Sequence, residues 1–342
     1  MLSKELKDIL INNKETFQDI IGQEHSKNQL KSALLSDRHV IIIGPPGIGK
    51  TTLAKNIAKL LPEIEVISGC KYHCEPKTPT CPECKDIKTK KIVKIKGINR
   101  FVRIQGSQDL TVEDLLGDIE PMKALKFGAL SIEAFTPGKI FKANRGVLFF
   151  DELNRCPEKL QNSLLQVLEE GKATIGSYDV DIETNFIFIG TMNIEDVTTE
   201  RMSSVFMDRF DIIYMSYPED IEKEIEIVLK NGTSNEILFP EDILNATIGF
   251  VRNLRDSDKL SKKPSVRASI GLYERACSNA LLKNKKVVSL EDVIEVIISV
   301  ISHRIELKPS IKYLKSPEEF LKEETKNFFE SKDIKDKEGD FL

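Results

Sequence analysis

Short, nearly continuous apolar runs alternate with longer stretches in which apolar residues recur every three or four positions. Residues 39–43, 63–68, 146–150 and 186–190 are rich in Ile, Val, Leu or Phe and are bounded by Gly, Pro or Asn. Runs of this kind predict strands buried on both faces of a parallel sheet. Between them, 50–61 reads as a helix stopped by Pro62. Residues 157–170 place Leu160, Leu164, Leu165 and Leu168 on one helical face before Gly171. Alternation of strand and helix predicts an α/β domain over residues 1–216 with a parallel central sheet.

After Tyr217-Pro218 the pattern becomes helical throughout. Residues 221–229, 241–254, 266–282 and 290–303 are predicted helices, the last opened by Ser289 and Asp292 at capping-box spacing. A smaller all-helical domain is expected over 217–308. Residues 309–342 read as a charged terminal helix and tail. There Ser316-Pro317 starts a helix, and Phe320, Leu321, Phe328 and Phe329 form a stripe expected to dock on the domain's own core, a partner-binding helix being the alternative.

Composition changes the picture only modestly. Among 342 residues, 50 Lys and Arg face 54 Asp and Glu, a net charge of -4. So mild a balance argues against bulk electrostatic binding to nucleic acid or anionic lipid. Apolar runs are too short to span a membrane. The N-terminal residues mix charges from Lys4 onward, unlike a signal peptide. A cytoplasmic protein is expected.

The candidate chemistry is more specific. The run Gly44-Pro45-Pro46-Gly47-Ile48-Gly49-Lys50-Thr51-Thr52 follows a predicted strand and opens a predicted helix. It fits G-x-x-x-x-G-K-[ST], the loop whose backbone N–H groups cradle phosphates at a helix N-terminus. Lys50 would reach the β- and γ-phosphates of ATP, and Thr51 would complete a Mg²⁺ shell. About 100 residues later, Val147–Phe150 leads into Asp151 and Glu152. Ligands of open parallel sheets lie beyond the C-terminal strand ends, which would bring this pair to the phosphate loop. Asp151 would hold Mg²⁺ and Glu152 would act as general base on the attacking water.

With these motifs the sequence resembles AAA+ ATPases, over roughly residues 15–305. The run from Ala143 to Arg155 is similar to the second Walker motif of the magnesium chelatase ATPase subunit and of MoxR-type ATPases. Ile20-Ile21-Gly22-Gln23 resembles the family's adenine-lining segment, which implies a nucleotide contact at Ile21. Thr191-Met192-Asn193 resembles sensor 1, so Asn193 would orient the lytic water. Met207-Asp208-Arg209-Phe210 resembles the arginine-finger motif, with Arg209 reaching the ATP of a neighbouring subunit. Arg267, in Pro264–Ser269, resembles sensor 2, acting in cis or in trans. Residues 110–142 are similar to the family's helix-2 insert, and 173–185, with Gly176-Ser177-Tyr178, to its hairpin before sensor 1. The resemblance implies a homo-oligomeric, hexameric ring working with a metal-ion-binding adhesion-domain partner. Its task would be metal insertion or enzyme maturation. A nucleic-acid-dependent ATPase related to minichromosome-maintenance motors, or a nucleotide-gated assembly switch, is the alternative.

Cys70, Cys74, Cys81 and Cys84 follow C-x₃-C-x₆-C-x₂-C within an insertion at 69–99. Four thiols returned by short turns suit tetrahedral Zn²⁺; an iron–sulfur cluster would use the same ligands, and reduced unliganded thiols are a third reading. His73 is a reserve ligand. The segment reads as a module separable from the ATP site. Six lysines then fall within residues 85–96, without interleaved aromatics. They read as a solvated strand edge rather than a nucleic-acid platform.

Overall fold

The computed structural model describes residues 4–12, 16–128, 131–175, 180–193 and 202–331. The chain divides into two compact units. One comprises Met1–Gly44 and Gly49–Met215; the other comprises Pro45–Ile48 and Ser216–Leu342.

In the first unit, three strands have the continuous apolar pattern: β1 (His39–Ile43), β7 (Val147–Asp151) and β10 (Ile187–Met192). They lie side by side, in the order β1-β10-β7, at the centre of a five-stranded parallel sheet. The edge strands, β4 (Phe101–Gln105) and β11 (Phe210–Tyr214), were not foreseen. Each interleaves exposed polar residues, Arg103 and Gln105 in one and Asp211 in the other. An edge strand has one ladder neighbour and a partly wet face, so its apolar run is broken.

The expected sheet strand at 63–68 is a correction. β2 (Ile64–Ile67) pairs antiparallel with β3 (Ile92–Ile95) in a separate ribbon, Ile64 opposite Ile95 and Ile67 opposite Ile92. Only Val66 and Ile67 of β2 are buried, because Glu65 turns outward opposite Lys94. β3 exposes Ile92 and Lys94 and so forms the solvated edge.

Between β4 and β7, β5 (Gly117–Ile119) and β6 (Phe135–Pro137) form a short antiparallel pair. β8 (Lys172–Ile175) and β9 (Val180–Glu183) make the hairpin before β10. Its tip, including Gly176-Ser177-Tyr178, lies outside the described residues. Helix α1 (Lys50–Leu60) follows β1, and α2 (Glu158–Glu170) buries Leu160, Leu164 and Val167 before Gly171 ends it in a left-handed turn.

The second unit is helical: α3 (Ile221–Asn231), α4 (Glu241–Asp256), α5 (Val266–Leu282), α6 (Leu290–Ile301) and α7 (Pro317–Ser331). Ser289 and Asp292 form the capping box of α6. Phe320, Leu321 and Phe329 are buried in the unit's core, where Phe328 and Phe329 lie 5.4 and 5.5 Å from the Phe250 ring. Burial of such a ring is worth about 2–3 kcal/mol. Glu224, fully buried, accepts two 2.6 Å bonds from Arg255 and one of 2.5 Å from Ser269 Oγ. That pairing answers the cost of burying a carboxylate. Residues 332–342 of the expected tail lie outside the described residues. Among the described residues, no helix is long and apolar enough to cross a membrane.

Candidate functional site

Parallel register brings the C-terminal ends of β1, β10, β7 and β4 to one edge of the sheet. β1 runs into Gly44 and the phosphate-type loop, and Lys50 Nζ donates to the Gly44 carbonyl at 2.6 Å. Gly49 has φ 96°, a conformation that favours glycine, and is the N-cap of α1. A Cβ there would stand 3.0 Å from Ile20 Cδ1, so the 20–23 segment lies against the start of α1. Ile21, half-buried, is the next residue in that segment. Within the helical unit, which takes the loop tip Pro45–Ile48, a Cβ on Gly47 would meet Ser265 Oγ at 3.0 Å and Arg267 Cγ at 3.1 Å.

Asp151 ends β7 directly opposite Gln105 of β4. Its Oδ1 accepts from Thr191 Oγ1 at 2.6 Å, and its Oδ2 pairs with Arg103 at 2.6 Å. Glu152 is held in the left-handed region (φ 54°, ψ 49°), and its N–H donates to Thr191 Oγ1 at 3.1 Å. Its carboxylate accepts from Gln105 Nε2 at 2.8 Å and pairs with Arg155 at 3.1 Å. Gly106 closes on this turn: its N–H donates to the Asp151 carbonyl at 2.7 Å, and a Cβ would collide with the Glu152 carbonyl oxygen. Asn193 follows β10 one residue beyond Met192, the partner of Ile43.

The structure thus brings Asp151, Glu152 and Thr191 into one hydrogen-bonded group at the strand ends from which Gly44 and Asn193 also leave. Arg209 stands apart from them, half-exposed and paired with Glu169. Sequence reasoning missed Arg103, Gln105 and Thr191. The alternation of Arg103 and Gln105 was the available signal for an edge strand feeding the site. Thr191 lies inside a run read only for its asparagine.

The cysteine segment is the second chemical feature. The four Sγ atoms lie within 4.8 Å of one another, and Cys70 and Cys81 sulfurs are 3.8 Å apart. Tetrahedral Zn–S bonds of about 2.3 Å would separate sulfurs by about 3.8 Å, so the set fits a four-thiolate metal site. Backbone N–H groups of Tyr72 and Cys74 point at Cys70 Sγ (3.4 and 3.5 Å), and that of Cys81 points at Cys74 Sγ (3.3 Å). Hydrogen bonds from Cys70 and Cys81 hold the Cys74 thiol well below its ordinary range, while its neighbours Cys70 and Cys74, with burial, push Cys81 up. Burial pushes Cys84 up to about 12. Four crowded sulfurs resist carrying four negative charges unless a cation neutralises them. His73 turns Nδ1 to the Asn144 carbonyl at 3.1 Å, and burial lowers its pKa.

The segment packs on the sheet domain rather than standing clear of it. Cys74, Cys81 and Cys84 are buried in the same core as Phe141, Leu148 and Phe150. Tyr72 packs on the Phe141 ring at 5.2 Å. The segment is short of apolar residues, and it completes its burial on the sheet domain rather than within itself.

Comparison with known proteins agrees in kind. Residues 93–210 match the AAA domain (dynein-related subfamily), 16–70 match magnesium chelatase, subunit ChlI, and 261–324 match the AAA lid domain. The chain is 27% identical to a magnesium-chelatase subunit ChlI homolog of Methanocaldococcus jannaschii, covering 86% of each chain. It is 28% identical to magnesium-chelatase subunit ChlI-2 of Arabidopsis thaliana, covering 86% of this chain and 76% of that one. Among solved structures, subunits BchI and BchD of magnesium chelatase, described as a complex, match with TM-score 0.50 and 20% identity over 87% of this chain and 98% of that one. A point mutant of RuvB from Thermotoga maritima also gives TM-score 0.50, at 17% identity over 85% and 74%; both likenesses speak to fold alone.

Proposed function

We propose that the chain, which matches magnesium chelatase and AAA family models over separate segments and resembles magnesium-chelatase ATPase subunits, is an oligomeric AAA+ motor of chelatase or MoxR type. Its hydrolysis of ATP remodels a partner for metal insertion or enzyme maturation. The observation that carries this reading is the group Asp151–Thr191–Glu152 at the strand ends beside the one that feeds Gly44–Thr51. In this reading Gly44, Pro45, Pro46, Gly47, Ile48, Gly49 and Thr52 supply the backbone cradle, Lys50 neutralises the outer phosphates, and Ile21 lies by the base. Thr51 and Asp151 hold Mg²⁺, which supplies positive charge to offset the phosphates. Glu152 takes a proton from the attacking water, and Asn193 orients that water. Arg209 acts on the ATP of a neighbouring protomer and Arg267 on the γ-phosphate, which links turnover to assembly into a ring, of hexameric order.

A metal-ion-binding adhesion-domain protein is the partner class we favour, and the cytoplasm the place of action. The four cysteines hold one structural Zn²⁺, the assignment best supported by the sulfur spacing and the backbone N–H bonds to sulfur.

Glu152→Gln tests the core of the proposal. It removes the base while keeping a side chain of the same length, so nucleotide affinity should stay within about threefold while kcat falls at least about 100-fold. A Glu152→Gln protein with wild-type turnover would remove Glu152 as the base.

A further inference from the structure

Asn144 joins the cysteine segment to both strands that carry the acidic group. The residue is 7% exposed. Nδ2 donates to the Tyr72 carbonyl at 2.7 Å, midway between Cys70 and Cys74 in the chain. Oδ1 accepts from the Asn185 N–H at 2.9 Å, two residues before β10. Its own backbone accepts from His73 Nδ1 and leads three residues later into β7. Arg145 adds bonds of 3.3 Å from Nη1 to the carbonyls of Glu65 and His73. The starts of β7 and β10 are in turn locked by the Ile187 N–H donating to Gly146 at 2.9 Å.

Each half of the Asn144 amide therefore has a partner, and those partners belong to different parts of the unit. An amide buried this far from water has no ready substitute for either bond. If the turn holding Tyr72 shifts, Nδ2 loses its acceptor and the side chain must reorient, releasing Asn185. The phosphate-type loop hangs instead from β1, which neither of these bonds touches.

We propose that Asn144 is a positioning residue, through which metal held by Cys70, Cys74, Cys81 and Cys84 sets the relative placement of β7 and β10 and hence the rate of ATP hydrolysis. The inference rests on reading the cluster as a metal site. With metal bound, the 70–74 turn is cross-linked and presents the Tyr72 carbonyl in place. Without it, the strand starts loosen, and Thr191 no longer aligns Asp151 and Glu152. Misplacement by a fraction of an ångström is enough to slow chemistry without abolishing binding.

The test uses the full chain, analysed for metal, stripped with a chelator and reloaded with Zn²⁺. Stripping should lower kcat about 10-fold or more while KM for ATP changes less than about threefold. Hydrogen exchange should quicken in residues 144–151 and 185–192, and Zn²⁺ should reverse both effects. Asn144→Asp keeps the acceptor for Asn185 but loses the donor to Tyr72. It should retain one metal per chain, show the kcat of stripped wild type, and be indifferent to further stripping. A metal-loaded chain whose kcat ignores the metal, or an Asn144→Asp variant that responds to stripping as wild type does, overturns the coupling alone. A chain that holds and takes up no metal overturns the metal reading, and this proposal with it. If the variant does not fold, the strip-and-reload series on wild type decides without it.

Discussion

With a single hydroxyl, Thr191 donates to Asp151 Oδ1 and accepts from the Glu152 N–H, fixing the two carboxylates relative to each other. Valine has the same shape and neither capacity. Thr191→Val should therefore leave the sheet intact and lower kcat about 10- to 100-fold, because the Glu152 amide is left unpaired and the turn relaxes. Steady-state kinetics beside a thermal melt checks this; loss of the fold rather than of kcat would contradict it. At this scale the sequence singles out residues where a motif has fixed spacing, as at Lys50 and Asp151. It is silent where the work is done by a residue of ordinary type. Thr191, Gln105 and Asn144 are common polar residues whose significance lies in partners 39, 47 and 72 positions away in the chain.

Helix α6 shows how an element's start can carry pH dependence. Asp292 is fully buried, which opposes its charge, yet bonds from the Ser289 N–H (3.0 Å) and Oγ (2.7 Å), with Lys283 and Lys285, bring its pKa down to about 2. A depressed carboxylate adds stability above its unfolded pKa of about 3.9 and loses it as pH falls toward 2. Relative to Asp292→Asn, wild type should be more stable by about 2 kcal/mol at pH 6, and the gap should close by about pH 2. Urea unfolding followed by the helical signal measures it; a gap independent of pH would mean that titration is not its source. The capping-box spacing made this helix start legible in advance. Strands were legible only where both faces are dry: β1, β7 and β10 read as continuous apolar runs, whereas β4 and β11 did not. β2 imitated a core strand because Val66 and Ile67 bury one end of it. No local pattern distinguishes a ribbon from a sheet when the difference lies in which partner arrives.

On the scale of the whole molecule, turnover should depend on assembly. Arg209 is half-exposed and held by a solvent-facing pair with Glu169, a bond worth at most about 1 kcal/mol and so readily exchanged for a phosphate. Arg209→Ala should abolish hydrolysis with ATP binding nearly intact. Mixing it with inactive Lys50→Ala should restore part of the activity, at interfaces that pair an intact loop with an intact arginine. Verified mixed rings without restored activity would argue against action in trans. The sheet order has one more consequence, for the birth of the protein rather than its work. β1 takes β10 and β11 as its ladder partners, strands that begin roughly 150 and 170 residues further along the chain. At ribosomal speeds of about 5–20 residues per second, that apolar segment waits roughly 8–30 s for its first ladder partner. Throughout that interval Val40, Ile41, Ile42 and Ile43 present a bare strand, the kind of stretch that invites holding chaperones or faulty self-association. The strand that leads into the Gly44–Thr51 loop is among the first made and among the last to be secured.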